Sequence, residues 1–148
     1  MAYTNALSAY RETRVKTASQ GQLIIMLYDE AVKQLDFGLD LLKLNAEGKR
    51  DPRRIEQIGK AVLKTQEIVT ELMVSLDFDQ GGEIAKNLFS LYSWFSQELL
   101  AANISQDTRR ILGVRNMMNE LRGAWAEIAA KTSTEGMDQP SSGVNIAG

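Results

Sequence analysis

Ile55, Ile58, Val62, Thr65, Val69, Leu72 and Leu76 recur three and four residues apart, and no other single feature restricts the fold of this chain so much. A strand alternates its faces every two residues, so a seven-member stripe at this spacing predicts a long helix with one buried seam. Asp51-Pro52 just ahead of it supplies a cap residue and a proline at the first helical position, so a helix start is expected there. Comparable stripes occur three more times. Leu27, Ala31, Leu35, Leu39 and Leu42 mark a helix from about Gln20 to Leu44. Ile84, Leu88, Leu91, Phe95, Leu99 and Ala102 mark a third helix, and Ile111, Val114, Met118, Leu121, Trp125 and Ile128 a fourth. The breaks between them are short: Asn45 to Asp51, Asp77 to Gly82 and Asn103 to Gln106. Short connections force neighbouring helices antiparallel, so the expected fold is all-α, an antiparallel up-down four-helix bundle over residues 19–131. An arm of residues 1–18 precedes it, with Tyr3, Leu7 and Tyr10 at helical spacing and Val15 beyond. Residues 132–148, polar with glycine and proline and without a period, read as a disordered polar tail.

The first helix opens on Thr17 to Glu30, TASQGQLIIMLYDE. Ser19 and Gln22 have the spacing of a capping box, and Leu23 to Tyr28 place apolar groups around more than half of the helix, which therefore needs cover on two sides. Thr17-Ala18-Ser19, Gln22-Leu23-Ile24, Met26-Leu27-Tyr28-Asp29 and Ala31 resemble the signature of the flagellin export chaperones of the FliS family, T-A-S-P-x-Q-L-I-x-M-L-Y-D-G-A. Gln20 and Glu30 depart from it, standing where the family usually has Pro and Gly. Losing the proline removes a pre-set φ without adding a clash. The resemblance extends in order through Leu76-Asp77, Gly81-Gly82-Glu83-Ile84-Ala85, Asn87-Leu88, Leu91-Tyr92, Leu99, Ala102-Asn103, Leu121-Arg122 and Ala124-Trp125.

Composition narrows the function classes. With no cysteine and no histidine, the chain has no disulfide, no thiolate or imidazole metal ligand and no histidine base. A net charge of -2 gives no general attraction to nucleic acid or an anionic membrane. The longest apolar run, Leu23 to Tyr28, is too short to span a bilayer. No catalytic residue, cofactor, metal site, nucleic-acid partner or membrane insertion is expected; the lack of cysteine permits a reducing cytoplasm, which is the compartment the resemblance implies.

Several constellations have ordinary readings. Asp77 and Asp79 near Gly81 suggest a calcium loop, but Leu88 occupies the place of the bidentate glutamate, so a helix-capping loop is expected. Gly81-Gly82 reads as a tight interhelical turn. Glu67, Glu71 and Glu98 lack the histidines of a di-iron bundle and read as solvated. The basic runs at Lys49 to Arg54 and Arg109-Arg110 have no interleaved aromatics and read as exposed loops.

Apolar residues off the central stripes are more informative. Ile25 and Val32 on the first helix, Leu63 and Met73 on the second, Phe89 and Leu100 on the third, and Leu112 and Met117 on the fourth exceed what a four-helix core needs. They are the candidate lining of a groove for an amphipathic partner. The resemblance implies what that partner is: the C-terminal segment of flagellin, held unpolymerised until delivery to the flagellar type III export apparatus, whose gate protein FlhA is the second expected partner. Leu7, Tyr10 and Val15 of the arm are expected to cover part of the groove when flagellin is absent. The alternatives from other classes are a carboxylate enzyme in a helical bundle and a signalling or assembly adaptor.

Overall fold

The computed structural model describes residues 20–138, with side chains described to residue 131. Four helices follow in order: α1 Gln20–Glu47, α2 Pro52–Val74, α3 Phe78–Ser105 and α4 Thr108–Asp138. Each packs on its neighbours in sequence, and α1 packs on α4 to close the ring. The all-α up-down bundle expected from the stripes is the fold that forms.

The connections show why. Asp51 is extended and its carboxylate accepts from Arg53 N at 2.9 Å, with Pro52 behind it, so α2 starts where a capped proline predicts. Asn45 ties the first turn together, its Oδ1 accepting from Asp51 N and from Arg54 Nη1, both at 3.2 Å. Asp77 caps α3, accepting from Asp79 N and Gln80 N at 3.0 Å, which is the capping role expected for this loop. The α3–α4 turn hinges on Gln106 in the left-handed region, φ 55°, with Asp107 accepting from Arg109 N at 3.0 Å.

Several boundaries differ from the pattern. α1 runs to Glu47, three residues beyond Leu44, since the turn closes only with Gly48 N donating to Leu44 O. α3 begins at Phe78 rather than after the glycine pair, because the Asp77 cap already orders the first turn. The break falls inside the helix, at Gly82 (φ 49°, ψ -122°). α4 continues to Asp138, past the Thr132 at which the apolar period stops. Ser19 of the expected capping box lies outside the described residues.

The core is the four stripes meeting. Leu27, Ala31 and Leu35 of α1, Ile58, Val62, Val69 and Leu72 of α2, Phe95, Leu99 and Ala102 of α3, and Ile111, Val114 and Met118 of α4 are all buried. Thr65 is buried on the same face, its hydroxyl donating to Ala61 O at 2.9 Å, so its polarity is satisfied. Among the described residues no helix is long and apolar enough to cross a membrane.

Candidate functional site

The off-stripe apolar residues sort by seam, and the seams differ in whether they are closed. On α1, Ile25, Asp29, Val32 and Asp36 lie along one face. Its aspartates reach α4: Arg122 Nε donates to Asp29 Oδ1 at 2.7 Å, and Arg115 Nε donates to Asp36 Oδ1 at 2.8 Å with Nη2 3.4 Å from Oδ2. Both partners step by seven residues in opposite directions, which forms a ladder across an antiparallel seam. Ile25 and Val32 therefore face α4 beneath ion pairs; both are only partly exposed, and Val32 packs against the core. Leu112, three residues before Arg115, sits at the far end of the ladder and is exposed. Met117 follows Arg110 by two turns, and Arg110 Nη1 donates to Glu98 of α3 at 2.7 Å, so Met117 belongs to the α3–α4 seam.

The α2–α3 seam is different. A Cβ at Gly59 would stand 3.5 Å from Asn103 Oδ1, which fixes the level of the two helices. From there the antiparallel run brings Leu63 level with Leu100 and Met73 level with Phe89. No ion pair crosses this seam among the described residues. Leu63, Phe89 and Leu100 are exposed, while Met73 packs against the core. The middle of the seam carries small hydroxyls already bonded to their own helices, Thr70 to Gln66 O and Ser93 to Phe89 O. The result is an open apolar channel with a level floor.

A second feature lies at the end of the bundle where α1 begins and α2 ends. A cavity of about 560 Å³ is lined by Ile24 of α1, Leu72 and Leu76 at the end of α2, Ile84, Leu88 and Tyr92 of α3, and Trp125 and Ile128 of α4, with Gln20, Ser75, Asp77 and Gln80 as polar lining. The stripe pattern places Ile84 and Ile128 in the core, but they are 70% and 56% exposed. Both line the cavity, where the four stripes leave a space between them. That local excess at the end of two stripes was the available signal, and periodicity alone did not read it.

The cavity borders a buried aromatic pair. Tyr28 and Tyr92, both fully buried, join their hydroxyls at 2.6 Å. Burial pushes the Tyr28 phenol above its ordinary pKa, against a smaller opposite effect of hydrogen bonding to Tyr92 and Trp125. Tyr92 is raised further, by burial first and then by its neighbour Tyr28. Both phenols therefore stay neutral, as hydrogen-bonding groups between the helices rather than as bases.

The carboxylates separate as well. Glu98 is paired with Arg110. Glu67, read from sequence as solvated, has both carboxylate oxygens shielded from solvent and without a hydrogen-bond partner. Among the described residues, no group of three or more His, Cys, Asp or Glu side chains is placed to hold a metal ion. Tyr3, Leu7, Tyr10 and Val15 of the arm lie outside the described residues.

An open apolar seam and an apolar end cavity thus interrupt an otherwise closed helical bundle. The model of the family "Flagellar protein FliS" matches residues 3–132. The chain belongs to the FliS family. A flagellar secretion chaperone FliS from Salmonella typhimurium is 33% identical over 123 residues, covering 82% of this chain and 85% of the relative. The corresponding chaperone of Campylobacter jejuni is 34% identical over 125 residues, covering 83% and 90%, and that of Bacillus subtilis 28% identical over 127 residues, covering 86% and 88%. These three relatives are all named flagellar secretion chaperones.

Proposed function

We propose that this FliS-family protein is a cytoplasmic chaperone that binds the C-terminal segment of flagellin, prevents its premature polymerisation and assists its delivery to the flagellar type III export apparatus. Beyond family membership, the observation that carries this reading is the open α2–α3 seam, where Leu63, Phe89 and Leu100 remain exposed beside a closed core. A disordered client that folds on binding can lay the apolar face of a helix on such a channel. The end cavity would take a further anchor. Titration calorimetry with a flagellin C-terminal peptide tests the reading. Saturable one-to-one binding at micromolar or tighter affinity, about 8 kcal/mol, is expected. Absence of saturable binding at roughly tens of micromolar overturns it.

The arm would act on the same surface. It precedes Gln20 in the chain, and Gln20 and Gly21 line the cavity, which supports a role for Leu7, Tyr10 and Val15 at this end of the bundle. In this reading the arm covers apolar surface until flagellin displaces it. FlhA would then recognise the loaded form, because a signal of loading requires different affinity for the two states. Equal retention of free and loaded chaperone by immobilised FlhA would contradict that step.

A further inference from the structure

The end of the bundle opposite the cavity carries the turns from α1 into α2 and from α3 into α4. Two contacts set its shape. A Cβ at Gly59 would stand 3.5 Å from Asn103 Oδ1, which levels α2 with α3, and the Asp36–Arg115 pair levels α1 with α4. Counted from either contact at about 1.5 Å per residue, the α1–α2 turn stands roughly 6 to 7 Å beyond the α3–α4 turn, a convex tip above a lower shoulder. Lys43, Lys49, Arg50 and Arg54 gather at the tip and Arg109 on the shoulder. Asp51 and Asp107, which cap α2 and α4, are matched by Arg53 at 4.0 Å and Arg110 at 3.4 Å, leaving Glu47 as the remaining acid of the two turns. Among the described residues Lys43, Lys49, Arg50, Arg54 and Arg109 enter no ion pair. Leu44 and Ile104 stand beside them, 50% and 79% exposed.

We propose that this end is a docking surface for an anionic lipid bilayer, held at the headgroups by the free cations of both turns, with Leu44 and Ile104 against the interface. The chain's net charge of -2 does not oppose it. Asp77, Asp79 and Glu83 sit at the start of α3, the far end of a helix about 42 Å long, several Debye lengths of about 8 Å away. The field near the tip is therefore that of the basic end. Each basic residue held at an anionic surface strengthens attachment about fivefold, so a handful gives a reversible anchor without insertion. A convex tip of exposed, separately mobile cations suits a plane of repeated negative charge better than one shaped acidic partner. Nucleic acid is the poorer polyanion here, because neither turn holds an aromatic residue for a base to stack on. α1 begins and α4 ends at the far end, so residues 1–19 and 139–148 connect there, away from this surface.

The test sediments the full-length chain with vesicles of phosphatidylcholine, alone or with phosphatidylglycerol added. Binding is expected only where phosphatidylglycerol is present, and it should weaken as salt rises. The triple variant Lys49→Gln, Arg50→Gln, Arg109→Gln removes exposed charges that enter no ion pair, so it should keep the thermal midpoint and the flagellin binding of the wild type while losing at least about tenfold in vesicle affinity. Lys86→Gln with Lys131→Gln, which removes two cations from the other half of the bundle, should leave vesicle affinity within about twofold. Wild type that binds both vesicle compositions alike, or neither, overturns the proposal. So does a triple variant that binds like the wild type, or a Lys86, Lys131 variant that loses as much as the triple one. Wild type that binds polyglutamate but not the vesicles points to an acidic protein and overturns the lipid assignment. None of these outcomes bears on the chaperone reading, which the flagellin titration tests separately.

Discussion

At the scale of single residues, the polar groups inside the bundle decide more than their number suggests. Tyr28 and Tyr92 share one hydrogen bond, sixty-four residues apart in sequence, between α1 and α3. Removing the Tyr28 hydroxyl leaves that of Tyr92 buried with its partner gone, whereas Tyr28 also bonds Trp125. Tyr28→Phe should therefore destabilise by about 1 to 3 kcal/mol, while the double change Tyr28→Phe with Tyr92→Phe should cost less than the sum of the single changes. Urea unfolding of the four proteins measures this coupling, and strict additivity would show that the bond contributes nothing specific. The pair also sets an alkaline limit. Both folded-state pKa values are raised, so the stability they contribute is complete below the unfolded-state value near about 10 and is lost as pH rises beyond it. The wild type should lose stability with rising pH above about 10 more steeply than the double phenylalanine variant.

At the scale of elements, glycines with the same composition have opposite roles. Gly82 interrupts α3 at φ 49°, ψ -122°, a region that side chains with a Cβ avoid, and nothing lies within 4 Å of where its Cβ would stand. The cost of Gly82→Ala is then conformational rather than steric, about 1 to 3 kcal/mol, and would show as a lower urea midpoint. Gly113, inside α4 and equally open, has ordinary helical backbone, so Gly113→Ala should stabilise by about 0.5 to 1 kcal/mol. If both substitutions stabilise, the kink at Gly82 is not required. The Gly81-Gly82 pair was legible as a break in the pattern. That it falls inside a helix was not, because it depends on Asp77 having already capped the preceding turn.

At the scale of the whole molecule, the two long seams differ in how they are closed. The α1–α4 seam joins the first and last helices, which no loop connects, and its register is marked by Asp29–Arg122 and Asp36–Arg115. Each exposed pair contributes only about 0.2 to 1 kcal/mol, so the pairs specify level more than they stabilise. Among the described residues the α2–α3 seam has no such bridge, and its Leu63, Phe89 and Leu100 are exposed. Leu63→Asp with Leu100→Asp should therefore weaken flagellin binding at least about tenfold with little change in thermal midpoint. Val32→Asp, on the closed seam, should instead lower stability by about 2 to 3 kcal/mol. Calorimetric titration together with thermal unfolding separates the two outcomes. A large loss of stability in the Leu63, Leu100 variant would show that this seam belongs to the core.

What the sequence determined by itself is what is local in a helical chain. Four stripes, Asp51-Pro52, Asp77 and the short connections are read within a few turns of backbone, and they suffice for an up-down bundle. The sequence also yielded Leu63, Phe89 and Leu100 as apolar residues with no place in a stripe. It could not separate them from Ile25 and Val32, because the same helical spacing produces both sets. That distinction came from contacts between residues 79 and 93 positions apart, which put ion pairs across one seam, while among the described residues none crosses the other. The end cavity likewise arises only from the relative lengths and levels of packed helices, which expose Ile84 and Ile128 at the ends of stripes that otherwise form the core. Periodicity specifies which face a side chain occupies, but whether that face is covered is settled only when the other three helices are in place.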